Sequence, residues 1–269
     1  KHCSGNVILF TMNEHHELIE RWVRRGRKAV VLQRDPGGEL IVLRDGRRSM
    51  PVGYTHQFPS TFDGRARMNV QNLLAAVAAA HVSGAHLHDI RHGLRTFTTD
   101  FFQAPGRLNL VELTGVTVLL DYAHNAAGLR MVGDFVERMT SEPPPSHPSA
   151  PSWSANLRVA VVATAGDRRD EDMLELGRVA ARYFDEVIVR EDVHTRGRER
   201  GETGSLVMQG IDEARREGAR VGHAELVTDE LEACRSALDR SRPGDLVVLC
   251  VDRASDVWDE IEIRRSAAR

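Results

Sequence analysis

The chain of 269 residues is 41% apolar and carries a formal net charge of −3 at neutral pH. That is enough chain and apolar surface for two buried cores, while the near-balanced charge offers no broad basic field to draw nucleic acid or an anionic membrane. No apolar run approaches the roughly 20 residues that span a bilayer, and the polar opening Lys1-His2-Cys3-Ser4-Gly5 is unlike a signal peptide. A cytoplasmic globular protein is expected, with small molecules or further subunits, including copies of itself, as partners. Cys3, Cys234 and Cys250 are odd in number and scattered, so neither a disulfide framework nor a zinc site is indicated; the last two read as small core hydrophobes. The only lysines are Lys1 and Lys28, and Lys28 lies in Arg24-Arg25-Gly26-Arg27-Lys28, where no glycine-rich turn opens a helix. It is not a phosphate-loop lysine.

In chain order, Val7 to Thr11 is a short β-rich run, and Glu14 to Arg25 carries Leu18, Ile19, Trp22 and Val23 at the spacing of one helix face. Ala29 to Gln33 and Glu39 to Arg44 are apolar runs separated by Asp35-Pro36-Gly37-Gly38, a strong turn signal that makes them a hairpin. Arg67 to His81 is a long alanine-rich helix, almost continuously apolar around Leu73, Leu74 and Val77, and so expected to pack on most sides. Asp89 to Leu94 begins another helix. After Pro105-Gly106-Arg107 the texture becomes a regular alternation: strands at Val116 to Leu120, Leu157 to Ala163, Glu186 to Arg190 and Leu246 to Val251, with helices at Ala126 to Met139, Glu171 to Tyr183, Thr203 to Glu217 and Glu230 to Arg240. Such alternation implies an α/β fold with a parallel, doubly wound sheet. Thr140 to Asn156, dominated by Pro and Ser, reads as an exposed loop within this second domain. The domain boundary is expected near residues 106–114, and no repeat of fixed period is present.

Four stretches carry polar chemistry. Asn69 and Asn72 lie three apart on one helix face; each amide can read an adenine edge, although Asn69 also suits a helix cap. Arg107 stands just before the domain change, and Asp121-Tyr122-Ala123-His124-Asn125 ends a strand, where ligands of doubly wound sheets gather. Asp121 can hold a ribose hydroxyl or order a magnesium-bound water, Arg107 can neutralise phosphate, and Asn125 can equally cap the next helix. Gly166-Asp167-Arg168-Arg169-Asp170-Glu171-Asp172 follows another strand; its acids suit a helix start, and its two arginines offer bidentate capture of a carboxylate or phosphate. The run Glu191-Asp192-Val193-His194-Thr195-Arg196-Gly197-Arg198-Glu199-Arg200-Gly201-Glu202 follows the next strand and on its own reads as a solvated loop.

Taken in order, Asn69-Val70-Gln71-Asn72-Leu73-Leu74-Ala75-Ala76, Pro105-Gly106-Arg107-Leu108-Asn109, Asp121-Tyr122-Ala123-His124-Asn125, Gly166-Asp167-Arg168-Arg169-Asp170-Glu171-Asp172 and Arg198-Glu199-Arg200-Gly201-Glu202 resemble the Mur ligase superfamily of ATP-dependent amide ligases. The likeness spans nearly the whole chain and is strongest to members that couple arginine to aspartate side chains of a poly-aspartate backbone. It implies that residues 1–108 are the latter part of a central ATP-binding domain and 109–269 a Rossmann-like C-terminal domain that closes over it. It also implies a nucleotide side formed by Asn69, Asn72, Arg107, Asp121, His124 and Asn125. Arg168 or Arg169 would hold a substrate carboxylate, Asp167 beside them would belong to the same substrate side, and the loop from Asp192 through Arg196 would help select the incoming amino acid. ATP and Mg2+ are the implied cofactors of the complete enzyme; no metal-ligand set is assigned within this chain. For a cationic substrate the available carboxylates are Asp170, Glu171, Asp172, Glu191, Glu199 and Glu202.

The departure from the family is the lack of any Gly-rich loop ending in Gly-Lys-Ser/Thr. The magnesium-side acidic and histidine residues and the ATP-grasp portion, which lie upstream in the family, are likewise not in this sequence. Starting at Lys1 without Met, the chain reads as a fragment, expected to be inactive alone. A non-catalytic nucleotide- or polymer-binding remnant is the competing reading. A Rossmann oxidoreductase is disfavoured because no Gly-x-Gly-x-x-Gly turn follows any expected strand. His86-Leu87-His88, without further ligands nearby, reads as surface.

Overall fold

The computed structural model describes residues 5–141 and 155–267. It divides into two compact units, one running through Thr98 and the other beginning at Thr99. Among the described residues no helix is long and apolar enough to cross a membrane.

The first unit is a four-stranded sheet in the order β1 (Leu9–Thr11), β2 (Lys28–Asp35), β3 (Gly38–Asp45), β4 (Arg48–Tyr54). β1 pairs in parallel with β2 across the crossover helix α1 (Glu17–Arg24), and the remaining pairs are antiparallel. The turn between β2 and β3 forms where expected: Asp35 accepts from the Gly37 amide at 2.7 Å, and Gly38 takes φ +119°, open to glycine. The apolar runs of β2 and β3 are continuous because both faces are covered. Ala29, Val31 and Val42 pack with Ile19 and Val23 of α1. Val30, Leu32, Ile41 and Leu43 face α2 (Arg67–Val82) and α3 (Leu87–Thr96), meeting Val70, Leu74, Val77, Ile90 and Leu94.

One expectation needs correction here, and one strand was not foreseen. The alanine-rich helix α2 buries one face only, with Ala76 and Ala79 exposed; alanine serves its helix propensity there, not burial. Strand β4 had no signal because Pro51 and Gly53 interrupt it and only Val52 and Gly53 are buried, a pattern that edge strands tolerate.

The second unit holds a six-stranded sheet in the order β5 (Asn109–Leu113), β6 (Val116–Asp121), β10 (Leu246–Cys250), β7 (Arg158–Val162), β8 (Glu186–Val189), β9 (His223–Leu226). All neighbours are parallel except β5 and β6. That hairpin turns on Thr114 and Gly115, with φ of 51° and 86°, the two left-handed residues that a two-residue turn needs. Thr is an unusual occupant of that position, so β5 escaped the sequence pattern, as did β9, which buries no residue fully. Helices α7 (Glu230–Arg240) and α8 (Ala254–Ala267) cover one face. The connections α4 (Ala126–Ser141), α5 (Asp170–Tyr183) and α6 (Glu202–Arg216) form a packed row, with α5 and α6 against β7 and β8 on the opposite face. Cys234 and Cys250 are fully buried in this unit, as expected of small hydrophobes, and burial pushes the Cys234 thiol up to about 12. Cys3, and the Pro- and Ser-rich segment apart from its ends, lie outside the described residues; Thr140 and Ser141 belong to α4.

Helices α5 and α6 cross at unusually short range through two glycines. A β-carbon on Gly177 would lie 2.1 Å from the Val207 carbonyl oxygen, and one on Gly210 would lie 2.0 Å from that of Leu174. Backbone cannot move aside as a flexible side chain can. Gly177→Ala should therefore destabilise the second unit by about 1–3 kcal/mol, the usual range for overpacking. A chemical-denaturation midpoint equal to that of the unmodified chain would show that the helices part at little cost.

Candidate functional site

Because β6, β7, β8 and β10 run parallel, the loops that follow them emerge on one edge of the second unit's sheet. They enclose a cavity of about 210 Å3 lined by Tyr122 and His124 after β6, Thr164, Ala165 and Arg168 after β7, Arg190, Asp192, His194 and Arg196 after β8, and Asp252 after β10. Three of the expected stretches thus meet in one place.

Asp121 ends β6, and both its oxygens accept backbone amides: Oδ1 from Ala123 at 2.9 Å and Oδ2 from Leu108 at 3.1 Å. Burial pushes its carboxyl up, and the two amides together with Arg107 only partly draw it back. Asp121 thereby fastens the 107–109 segment to the strand end. Arg107 is exposed, its guanidinium 4.9 Å over the Tyr122 ring. The Tyr122 carbonyl lies 2.9 Å from Nδ1 of His124 and can only accept, so in the neutral ring that nitrogen carries the hydrogen and Nε2 keeps its lone pair. Asn125 accepts from the Gly128 amide at 2.8 Å, which is the capping role open to it from sequence.

The two arginines after β7 part company. Arg169 forms a bidentate pair with Asp172 at 3.0 and 2.8 Å and does not line the cavity. Arg168 does, and no carboxylate among the described residues holds it. Arg196 bridges two loops, 3.0 Å from Asp167 and 3.7 Å from Asp192. Of the six carboxylates offered for a cationic substrate, none lines the cavity. Asp170 and Glu202 pair with Arg198, Asp172 with Arg169, and Glu191 is buried as a helix anchor. The cavity's acids are Asp192 and Asp252.

In the first unit, Asn69 is the third residue of α2 and does not cap it; the cap position is Ala66. Its amide nitrogen donates to the Ser60 carbonyl at 2.6 Å, and the Asn72 amide reaches the Asn69 oxygen at 3.5 Å. Asn72 is exposed and Asn69 half-buried.

Residues 106–252 match the family model described as the Mur ligase, glutamate ligase domain. The chain belongs to the Mur ligase family. It is 36% identical over 97% of its length to the cyanophycin synthetase of a Nostoc species, and 38% identical over 97% to that of a Synechocystis species, which places it with their C-terminal Mur ligase region. It spans about a quarter of the length of these relatives, 26% and 27%. Similar solved structures are a murein peptide ligase from Psychrobacter arcticus and a bifunctional folylpolyglutamate synthase/dihydrofolate synthase from Yersinia pestis solved with AMPPNP and a Mn ion. The first is 13% identical, over 96% of this chain and 51% of that one, with TM-score 0.57; the second is 18% identical, over 87% and 45%, with TM-score 0.55. At these identities they show the Mur ligase fold.

Sequence reasoning gave no structural role to three residues that hold the walls of this cavity and the Arg107 loop. Asn109 is buried; its Oδ1 accepts from Gly106 at 2.6 Å, and its amide donates to the Thr99 and Ala104 carbonyls, both at 2.8 Å. It knits the loop that presents Arg107. Arg190 and Glu230, each 3% exposed, pair at 3.0 Å behind the cavity, and Arg190 also holds Asp252 at 2.6 Å. A charged residue closing a strand, and a glutamate opening a helix, were the available signals. Neither reveals burial.

Glu191 generates a pH prediction. Burial pushes its carboxyl up, but the Thr203 hydroxyl at 2.6 Å, the Gly204 and Gly201 amides at 3.0 and 2.7 Å and the Arg200 guanidinium prevail and hold it below the usual range. A depressed folded pKa stabilises the fold fully above the unfolded value, about 4.3, and the contribution fades as pH falls through the folded value. Glu191→Gln should therefore melt at lower temperature than the unmodified chain at neutral pH, with the gap closing below about pH 4. A gap constant from neutral pH to pH 3 would contradict the assignment.

Proposed function

We propose that this chain is part of an ATP-dependent amide ligase of the cyanophycin synthetase type, joining arginine to the aspartate side chains of a poly-aspartate backbone. The observation that carries this reading is the identity to cyanophycin synthetases, which runs along 97% of the chain and so through both units. In this reaction an aspartate side-chain carboxylate attacks the γ-phosphorus of ATP, releasing ADP and leaving an acyl phosphate. The amine of arginine then attacks the acyl carbon, phosphate departs with the C–O bonding pair, and the nitrogen loses its proton. The protein's share is positioning and charge neutralisation.

On this reading residues 1–108 serve as the last part of the central ATP-binding domain and 109–269 as the C-terminal domain. Arg168, the cavity arginine without a carboxylate partner, captures the α-carboxylate of the incoming amino acid in bidentate fashion. Asp192 and Asp252 attract its cationic end, and Nε2 of His124 is a free acceptor beside them. Asp167 and Arg196 fix the loops by pairing with one another. Arg107 faces nucleotide phosphate, while Asn69 and Asn72 lie on the adenine side. Asp121 and Asn125 act through the backbone they hold. Among the described residues no group of three His, Cys, Asp or Glu could hold a metal by itself, and both Asp121 oxygens already accept backbone amides, so no residue of this chain is assigned to Mg2+. On this reading the metal and the γ-phosphate grip are supplied from outside the residues of this chain. That missing grip also favours a second reading, a non-catalytic nucleotide- or polymer-binding remnant.

Phosphate release from ATP by the longer protein, given a β-aspartyl-arginine primer with aspartate and arginine, separates the two. Turnover that requires both amino acids supports the ligase, and silence under all conditions supports the remnant. In an active longer enzyme, Arg168→Ala should raise KM for arginine roughly ten- to a hundredfold, the worth of a charge-assisted bidentate contact, with KM for ATP unchanged. Arg168→Lys should recover little of it, because an ammonium cannot form the planar fork. An unaltered KM for arginine would remove Arg168 from the site.

A further inference from the structure

Helix α3 of the first unit buries Ile90 and Leu94 and turns His88, Arg91, His92 and Arg95 toward a cavity of about 430 Å3, whose other wall is the edge strand β4 from Pro51 to Tyr54. Charge here is unbalanced. Among the described residues the one carboxylate beside any of these four is that of Asp89, 3.4 Å from Nδ1 of its neighbour His88 and in solvent. Arg91 donates to the Pro51 carbonyl, which fixes its guanidinium across the groove without neutralising it. His92 and Arg95 are exposed. In the second unit's cavity, by contrast, Arg190 and Arg196 each hold carboxylates.

We propose that this groove binds an extended acidic polypeptide, a run of side-chain carboxylates on a stretched backbone. Arg91 and Arg95, like His88 and His92, are four residues apart, a rise of about 6 Å along a helix. Side chains on one face of an extended chain recur at about 6.6–6.8 Å. Successive carboxylates on one face of such a chain therefore meet successive rungs of α3, Arg91 and then Arg95, with His88 and His92 beside them. A nucleic acid would want a free aromatic face for its bases. The groove's one aromatic, Tyr54, has its ring stacked on His56 at 5.3 Å and its hydroxyl donating to Asp35 at 3.0 Å. The groove belongs to a different unit from the cavity of Arg168, and the proposal does not depend on the ligase reading.

Binding is measured by fluorescence anisotropy of a labelled oligo-aspartate, long enough to span α3, on the complete 269-residue chain. The double variant H92A/R95S, which removes exposed side chains that make no hydrogen bond or ion pair among the described residues, should weaken binding about tenfold. R91S should weaken it comparably, with circular dichroism confirming the fold of each variant. Free aspartate should fail to compete, and salt should weaken the complex. R21S, an equal loss of charge on exposed α1, should leave binding unchanged. Equal weakening by R21S would overturn the proposal, because net charge alone would then account for binding. Equally tight, α3-dependent binding of polyphosphate or single-stranded DNA would also overturn it, in favour of an unselective anion groove.

Discussion

The carbonyl oxygen of Thr195 lies 2.0 Å from where a β-carbon on residue 166 would stand, and this approach of the loops after β7 and β8 sets the shape of the second unit's cavity. Only glycine permits it, and φ is not the reason; the space is simply occupied. Arg198 then closes the junction. Its guanidinium donates to the carbonyls of Gly166 at 2.9 Å and Arg168 at 3.0 Å and pairs with Asp170 and Glu202, each at 2.6 Å. Carbonyls at the start of α5 that would otherwise look to water are thus bound across the junction. Holding Arg168 by its backbone leaves its side chain free to face the cavity.

Beneath those loops a buried charge cluster does comparable service. Burial alone would drive the Arg190 guanidinium's pKa down, and Asp252 with Glu230 more than reverses that. Taking these charges out of water is costly, and an apolar trio of similar volume would stabilise the fold at least as well. The cluster is better understood through what it positions. Glu230 accepts the amides of Asp252 at 2.8 Å and Arg253 at 2.9 Å as well as Arg190, while Arg190 donates to the Cys250 carbonyl at 3.0 Å. The end of β10 and the start of α7 are locked to the end of β8, and Asp252 is held at the cavity wall.

How much of this was legible from sequence follows from the range of the interactions. The central strands of the second unit were plain because burial on both faces makes them continuously apolar, and their order along the chain implied that their loops share one edge. The meeting of Tyr122, Arg168 and Asp192 in one cavity was therefore foreseeable in outline. Which member of a pair faces inward was not: Arg168 and Arg169 are adjacent and chemically alike, and only the Asp172 side chain, three residues on, draws one of them away. Arg190 and Glu230 were illegible for a different reason. Their partnership joins residues forty positions apart through the sheet, and nothing in local composition marks a charge that will be buried. β4 and β9, edge strands with little buried surface, lacked the periodicity that carries strand signals.

In a chain whose only lysines are Lys1 and Lys28, arginine must serve both as fastener and as ligand for anions, so the two roles are separated by partners and not by residue type. Arg178 with Glu213, Arg198 with Asp170 and Arg190 with Asp252 are fasteners: each donor fork is occupied by carboxylates within its own unit. An arginine that borders a cavity and has no such partner retains its full capacity to bind an outside anion, and its free charge is tolerable only because solvent reaches it. Among the described residues, Arg168 in one unit and Arg95 in the other satisfy that condition. Arg107 nearly does, being turned onto the Tyr122 ring, where the aromatic face steadies a cation without neutralising it. On the proposals made above, the arginines that bind outside anions are those its own fold leaves without a carboxylate.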